Sequence, residues 1–250
     1  MPTPFMHLDM AYKMIAQLES TDDSPKLADL LKCHWASFCL GNIAADFQQI
    51  CDVKRRTTHF YSTPPDPSDL AAFERLLSTY PILANPENLG PERAVFLVGY
   101  GAHLIYDLLW FHNIVTAFVK GDWEDQEGRF TAHSTLLAYQ DQHSLGLLPE
   151  RVGDVLMVVD PAGWLPFDPD DHLKAWQKLV ADQLLPGAEV QTIKIFAGRL
   201  GLNEDELSAR LINEEWLNTH IFEHVSADLI AKVLDTSISL AIKQTQAYLI

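Results

Sequence analysis

Apolar residues recur at helical spacing along most of the chain. Met6, Met10, Met14, Ile15 and Leu18 fall three or four apart and predict an amphipathic helix over 6–18. Ser24-Pro25 supplies an N-cap and a first-turn proline for a second helix running to about Phe38. The prolines between Pro64 and Ser68 impose a loop, and helical spacing resumes from Asp69 to Tyr80. Pro81, Pro86 and Pro91 then punctuate the approach to a long helix over about 92–118, and another is expected over 129–142. Residues 144–168, with Gly153, Pro161, Gly163 and Pro166, read as irregular. Asp170 or Asp171 can cap a helix running through Leu184, which Pro186-Gly187 closes. Two more helical patterns lie near 203–225 and 227–248, and only Asp154–Asp160 offers a short strand. The expectation is an all-α fold in a single helical domain spanning 1–250.

Composition supports a packed interior. Of the 250 residues, 48% are hydrophobic and 21% charged, too apolar for a disordered chain. Asp and Glu number 34 against 18 Lys and Arg, a formal charge of −16. So acidic a chain has little with which to release phosphate counterions, so no nucleic-acid partner is expected, and charge alone does not draw it to an anionic bilayer. The longest apolar stretch, Ala94 to Phe111, contains His103 and Asp107 and suits a buried helix, so no transmembrane segment is expected. The first ten residues carry no basic, apolar and small-residue succession of a secretory signal. Cys33, Cys39 and Cys51 cannot all pair and match no common zinc knuckle. Reduced thiols in a cytoplasmic protein are the expectation.

Histidines near carboxylates are the candidate chemistry. His103 and Asp107 stand at i and i+4, about 40° apart on one helical face. A carboxylate in that apolar surrounding needs a hydrogen bond, an ion pair or a metal. A His–Asp hydrogen bond within the core and a divalent metal site are both open on this pair alone. Asp46 ends an apolar run of small residues, His59 follows Arg55 and Arg56, and His7 begins the first helix. Zinc in hydrolytic sites takes His nitrogen and Asp oxygen and keeps a position open. His220 and His224 share a helix face but lack the metalloprotease order, and read as a partly exposed pair. His34, His143 and His172 read as surface or cap residues, and the acid runs Asp22-Asp23, Asp122–Glu127 and Asp168–Asp171 as solvated loops and helix starts.

Four segments in order, Pro-Phe-Met-His-Leu, Leu-Gly-Asn-Ile-Ala-Ala-Asp, Arg-Arg-Thr-Thr-His-Phe and Gly-Tyr-Gly-Ala-His-Leu-Ile-Tyr-Asp, resemble the zinc-dependent phospholipase C family over about residues 1–145. That family is all-α, shared in outline with P1-type nucleases, and holds up to three zinc ions. The resemblance implies that Asp46, His59, His103 and Asp107 hold one zinc, with Asp107 bridging to a second served by His7. His112 and His133 fall near the histidines of a third position. Leu137 stands where that position's acid is expected, and Asp141 is the substitute. Ala45 stands where a proline is usual, and the family's processed N-terminal tryptophan has no counterpart. The implied cofactor is zinc, one to three ions. The implied activity is hydrolysis of a small-molecule or lipid phosphate ester; Asp46 would then orient or deprotonate the attacking water, and Arg55 or Arg56 would back Asp46, meet a phosphate oxygen or stay at the surface. A non-catalytic helical protein with a structural zinc site is the alternative, and a nuclease-like hydrolase a further one. Residues 1–145 would form the metal-binding core and 165–250 complete or cover it. Oligomeric state is not set by the sequence.

Overall fold

The computed structural model describes residues 1–20, 25–123, 126–168, 171–188 and 190–249. Fourteen α-helices and several 3-10 and π turns make up the described residues, with no strand among them. In chain order they are α1 (Pro4–Ser20), α2 (Pro25–Cys33), α3 (Trp35–Ala44), α4 (Arg55–His59), α5 (Ala72–Thr79), α6 (Pro91–Trp110) and α7 (Thr116–Lys120). There follow α8 (Gln126–Leu147), α9 (Val152–Leu156), α10 (His172–Gln183), α11 (Thr192–Leu200), α12 (Glu204–Leu211), α13 (Glu214–Leu217) and α14 (Ala227–Leu249). The all-α reading holds.

The centre is α6, buried from Ala94 to Leu108. It is long and apolar enough to cross a bilayer, but it lies within the protein with α3 and α14 packed against it. Glycine makes the α3–α6 crossing close. A Cβ at Gly41 would fall 2.0 Å from the Phe96 carbonyl oxygen, and one at Gly99 would fall 2.4 Å from that of Phe38. No other residue allows the two backbones to meet there. The apolar side chains form two clusters. One joins α1, α2, α8 and the C-terminal helices around Met10, Trp110 and Leu136. The other joins α3, α6, α9 and α10 around Leu40, Phe96 and Trp176.

Several boundaries differ from the sequence reading. The helix expected to reach Phe38 ends at Cys33 and restarts at Trp35, with His34 out of helical conformation between them. The long helix continues past Trp110 through a π turn at Phe111–Val115 into α7. The strand candidate 154–160 begins inside α9, because the segment has no neighbouring strand and packs Val152 and Leu156 on the α10 face. Helix α10 is capped by Asp168, whose carboxylate accepts from the His172 and Leu173 amides at 3.1 and 2.8 Å. Asp171 is left-handed and makes no side-chain cap. Helices α4 and α11 were not anticipated. Ser24, Asp22, Asp23, Glu124, Asp125 and Asp170 lie outside the described residues, so the first cap and parts of the acid runs do too. The three cysteines are unpaired, Cys33 exposed and Cys39 buried.

Candidate metal centre

Five side chains from four places in the chain meet beside the α3–α6 crossing. His7 comes from α1, Asp46 from the 3-10 turn after α3, His59 from the end of α4, and His103 and Asp107 from α6. All are buried. Their ligand atoms form two sets, His7–His103–Asp107 and Asp46–His59–His103, within 4.8 Å in each. Nε2 of His59 lies 3.5 Å from Asp46 Oδ1 and 3.3 Å from Asp107 Oδ2. Nε2 of His7 lies 3.5 Å from Asp107 Oδ1, and its ring stacks on His103 with centroids 3.8 Å apart.

Surrounding hydrogen bonds fix which nitrogen of each ring faces inward. His103 Nδ1 sits 2.8 Å from the Asn42 carbonyl, which can only accept, so Nδ1 carries the proton. The Thr58 hydroxyl donates to the Arg55 carbonyl at 3.2 Å, and therefore accepts from His59 Nδ1 at 2.8 Å. Tyr100 donates to the Thr58 carbonyl and anchors that turn. Both rings thus present a bare Nε2 lone pair inward, and these two atoms are 3.3 Å apart. Two lone pairs cannot hydrogen-bond each other; a proton or a cation must lie between them. Both nitrogens of His7 and Oδ1 of Asp107, fully buried, have no hydrogen-bond partner among the described residues. Orphaned donor atoms of this kind cost about 1–3 kcal/mol each without a partner. The donor set, imidazole nitrogen and carboxylate oxygen with oriented outer partners, suits zinc.

The electrostatics agree. Burial pushes Asp46 up, but the adjoining His59 and His103 imidazoles outweigh it and hold the carboxyl below its usual range. Burial likewise raises Asp107, and Arg55 and His103 overcome it, leaving Asp107 well below that range. Burial, helped by His103, lowers His7 to about 4, so its ring is neutral at neutral pH. Burial opposes charge on His103, yet Asp107 raises it above the ordinary value. Arg55 contacts Asp107, reaches Asp46 Oδ1 at 3.4 Å and donates to Tyr61 at 2.8 Å, and Tyr61 donates to Asp107 at 2.8 Å.

Residues 6–150 match zinc dependent phospholipase C as a family. The chain belongs to that family. Its zinc-dependent character fits the His and Asp groups that could hold metal ions here. No curated protein and no solved structure matches the chain.

The remaining sequence candidates lie elsewhere. His112 sits in the π turn after α6 and His133 on α8, each half-buried with an unpartnered Nε2, and neither joins the two sets. Burial, with the N-terminal ammonium adding, lowers His133 to about 3. Asp141 accepts from the hydroxyls of Thr3 and Thr192. Arg56 lines a separate groove with Phe60, Tyr61 and Arg75. His220 stacks on Trp216 and His224 on Trp123, so that pair forms no common site. His172, read as a surface or cap residue, begins α10 and pairs with Asp168 at 2.8 Å.

A cavity of about 580 Å³ adjoins the centre, with Asp46 and Arg55 in its lining. Trp176 and Leu179 of α10 and Ile195, Phe196 and Arg199 of α11 form another part of its wall. Trp176 is fixed by its indole N–H donating to the Ile43 carbonyl at 2.8 Å. Sequence reasoning missed Asn42, Thr58, Tyr61 and Tyr100 as orienting residues. Thr58 stands next to His59 in sequence, and that adjacency was the available signal. Nothing local marked α11.

Proposed function

We propose that the protein is a zinc-dependent hydrolase of phosphate esters, phosphodiesters of phospholipid type among them, with His7, Asp46, His59, His103 and Asp107 as ligands. The observation that carries this reading is the pair of facing, bare Nε2 atoms of His59 and His103 beside Asp46 and Asp107. Zinc held there supplies Lewis-acid chemistry, stabilising charge on phosphoryl oxygens and acidifying water. Asp107 lies between the two donor sets, Oδ1 toward His7 and Oδ2 toward His59 and His103, and ties them together. Asp46, held ionised and lining the cavity, is placed to orient or deprotonate the attacking water. Arg55 pairs with both carboxylates, most closely with Asp107, and lines the same cavity. His112, His133 and Asp141 contribute no ligand to this centre in our reading. The low content of basic residues favours a small or lipid ester over a polynucleotide.

The contact of Arg55 with both carboxylates favours a second reading, a single structural zinc without turnover. Elemental analysis of the purified chain, followed by assays on bis(p-nitrophenyl) phosphate and dihexanoyl phosphatidylglycerol, separates the two. Two or more zinc equivalents with chelator-sensitive, zinc-restored hydrolysis is the expected result. One ion without turnover gives the structural reading, and undiminished hydrolysis after complete zinc removal overturns both.

A further inference from the structure

The arginines beside the cavity are in opposite situations. Arg55 is bound on three sides, by Asp107, Asp46 and Tyr61. Arg199, on α11, lines the same cavity, is exposed, and makes no ion pair among the described residues. Its guanidinium lies over the Phe196 ring, 5.1 Å from the centroid, which holds it in place without neutralising it. In a chain with 34 acids and 18 bases, an unpaired cation at a cavity is unexpected. The acids in the lining do not compensate it. Asp46 faces His59 and Arg55, and Asp141 takes the hydroxyls of Thr3 and Thr192. The amides of Gln48 and Gln49 also line the space and form no hydrogen bond among the described residues. The cavity therefore offers donors and positive charge inside a strongly acidic protein. Its volume of about 580 Å³ is that of a small-molecule site and exceeds the needs of one phosphoryl group. Trp176, Leu179 and Ile195 make part of the wall apolar.

We propose that Arg199 is a specificity-determining residue that binds a second anionic group, a phosphate or carboxylate, on the non-scissile side of the substrate. The body of that substrate lies against the apolar surface of α10 and α11. This assignment rests on the phosphate-ester reading above. A cationic end, such as a quaternary ammonium, is repelled by Arg199. Helix α11 lies beyond the family-matched residues 6–150, so the selectivity belongs to this chain's own C-terminal part.

The test uses the full zinc-loaded chain and two probes, 3-phosphoglycerate and glycerol 3-phosphate, which differ by a carboxylate in place of a hydroxymethyl group. Titration calorimetry at low ionic strength is expected to show 3-phosphoglycerate bound about tenfold more tightly. Arg199→Gln removes that preference and leaves glycerol 3-phosphate binding unchanged. Arg199→Lys keeps part of it, because a point charge replaces a planar fork. Equal weakening of both probes in Arg199→Gln places Arg199 on the phosphate itself and overturns the assignment. Equal affinity of the wild-type chain for both overturns it too. Failure of the zinc-loaded chain to bind either probe overturns this assignment together with the phosphate-ester reading. A retained preference without phosphodiester turnover supports the anion site while overturning catalysis. Arg199 is exposed, so the variants are expected to fold, and matching thermal melts check it.

Discussion

The metal centre and the α10–α11 side of the cavity are built by opposite rules. At the centre the five candidate ligands are buried, and the inward groups of all but His7 are braced by neighbours. Asp107 alone engages Arg55, Tyr61, His59, His103 and His7. Along α10 and α11 part of the cavity wall is left free: Leu179 and Ile195 are more than two-fifths exposed, and Arg199 has no acidic partner among the described residues. A centre must hold its geometry against a large desolvation cost, so each member is braced by others. A surface that selects among substrates keeps its groups available.

Removing Asp107 breaks the centre most completely. Asp107→Ala leaves Arg55 largely buried without its main counter-ion, takes the carboxylate from the His7–His103–Asp107 set and removes the oxygen that faces His59. Loss of all bound zinc and about 3–5 kcal/mol of stability is expected. Elemental analysis and urea unfolding measure the two. A variant retaining full metal and stability would remove Asp107 from the centre.

The next effect acts through packing. Gly99→Ala places a methyl 2.4 Å from the Phe38 carbonyl oxygen and must push α3 from α6. That also moves the Asn42 carbonyl away from His103 Nδ1. A loss of about 3 kcal/mol is expected, with weaker zinc affinity, although no ligand is touched. Gly198→Ala, on α11, meets nothing within 4 Å and is expected to leave zinc affinity as it was. Unfolding curves and zinc titrations of the two variants compare the regions directly.

The same contrast decides what could be read from the sequence. The centre was legible because its chemistry is carried by residue types that are costly to bury: His103 and Asp107 at i, i+4 inside an apolar helix demand a partner. The family resemblance of four segments in order then brought in His7, Asp46 and His59. The orienting groups were not legible, because the Asn42 carbonyl belongs to a backbone that any residue shares, and Gly41 and Gly99 gain meaning only once α3 and α6 are known to cross. Helix α11 was invisible for a different reason. It is short, contains Gly198, and its N-cap Gln191 makes no side-chain cap, so its stability comes from burying Phe196 and Ala197 rather than from local signals. The break at His34 hides in the same way, within an apolar run that reads as one helix. All-α class survives such errors, since it needs only the periodicity and not the boundaries.

Asp141 sits between the two regions, and its titration sharpens where one ends. Burial, the largest influence, raises its carboxyl to about 6 against three hydrogen bonds from Thr192, Thr3 and the Phe5 backbone. Between pH about 4 and 6 the folded chain keeps a proton that the unfolded chain has released, so stability falls as pH rises through that window. Above it the fold carries a charged carboxylate at a cost of about 3 kcal/mol. Asp141→Asn is expected to remove this slope and to gain about 1–3 kcal/mol at pH 8, with zinc content unchanged. Urea unfolding across pH 4–8 measures the slope. Loss of a zinc equivalent would instead extend the metal centre to Asp141.

The smallest expected effect tests neighbours in sequence that the fold separates. Arg55 faces the two carboxylates, whereas Arg56, one residue on along α4, is exposed, makes no ion pair among the described residues, and lines the groove of Phe60 and Arg75 rather than the cavity. A turn of about 100° between successive helical positions is the whole cause. Arg56→Ala is therefore expected to change stability by less than about 0.5 kcal/mol and to leave zinc content and the KM for bis(p-nitrophenyl) phosphate as they were. A several-fold rise in KM with unchanged kcat would show that substrate reaches the Arg56 groove, and would move the boundary of the substrate surface from α10 and α11 to the far side of Tyr61. Basic residues adjacent in sequence would then share one task, and the separation of committed from available arginines would fail at the point where the chain makes it sharpest.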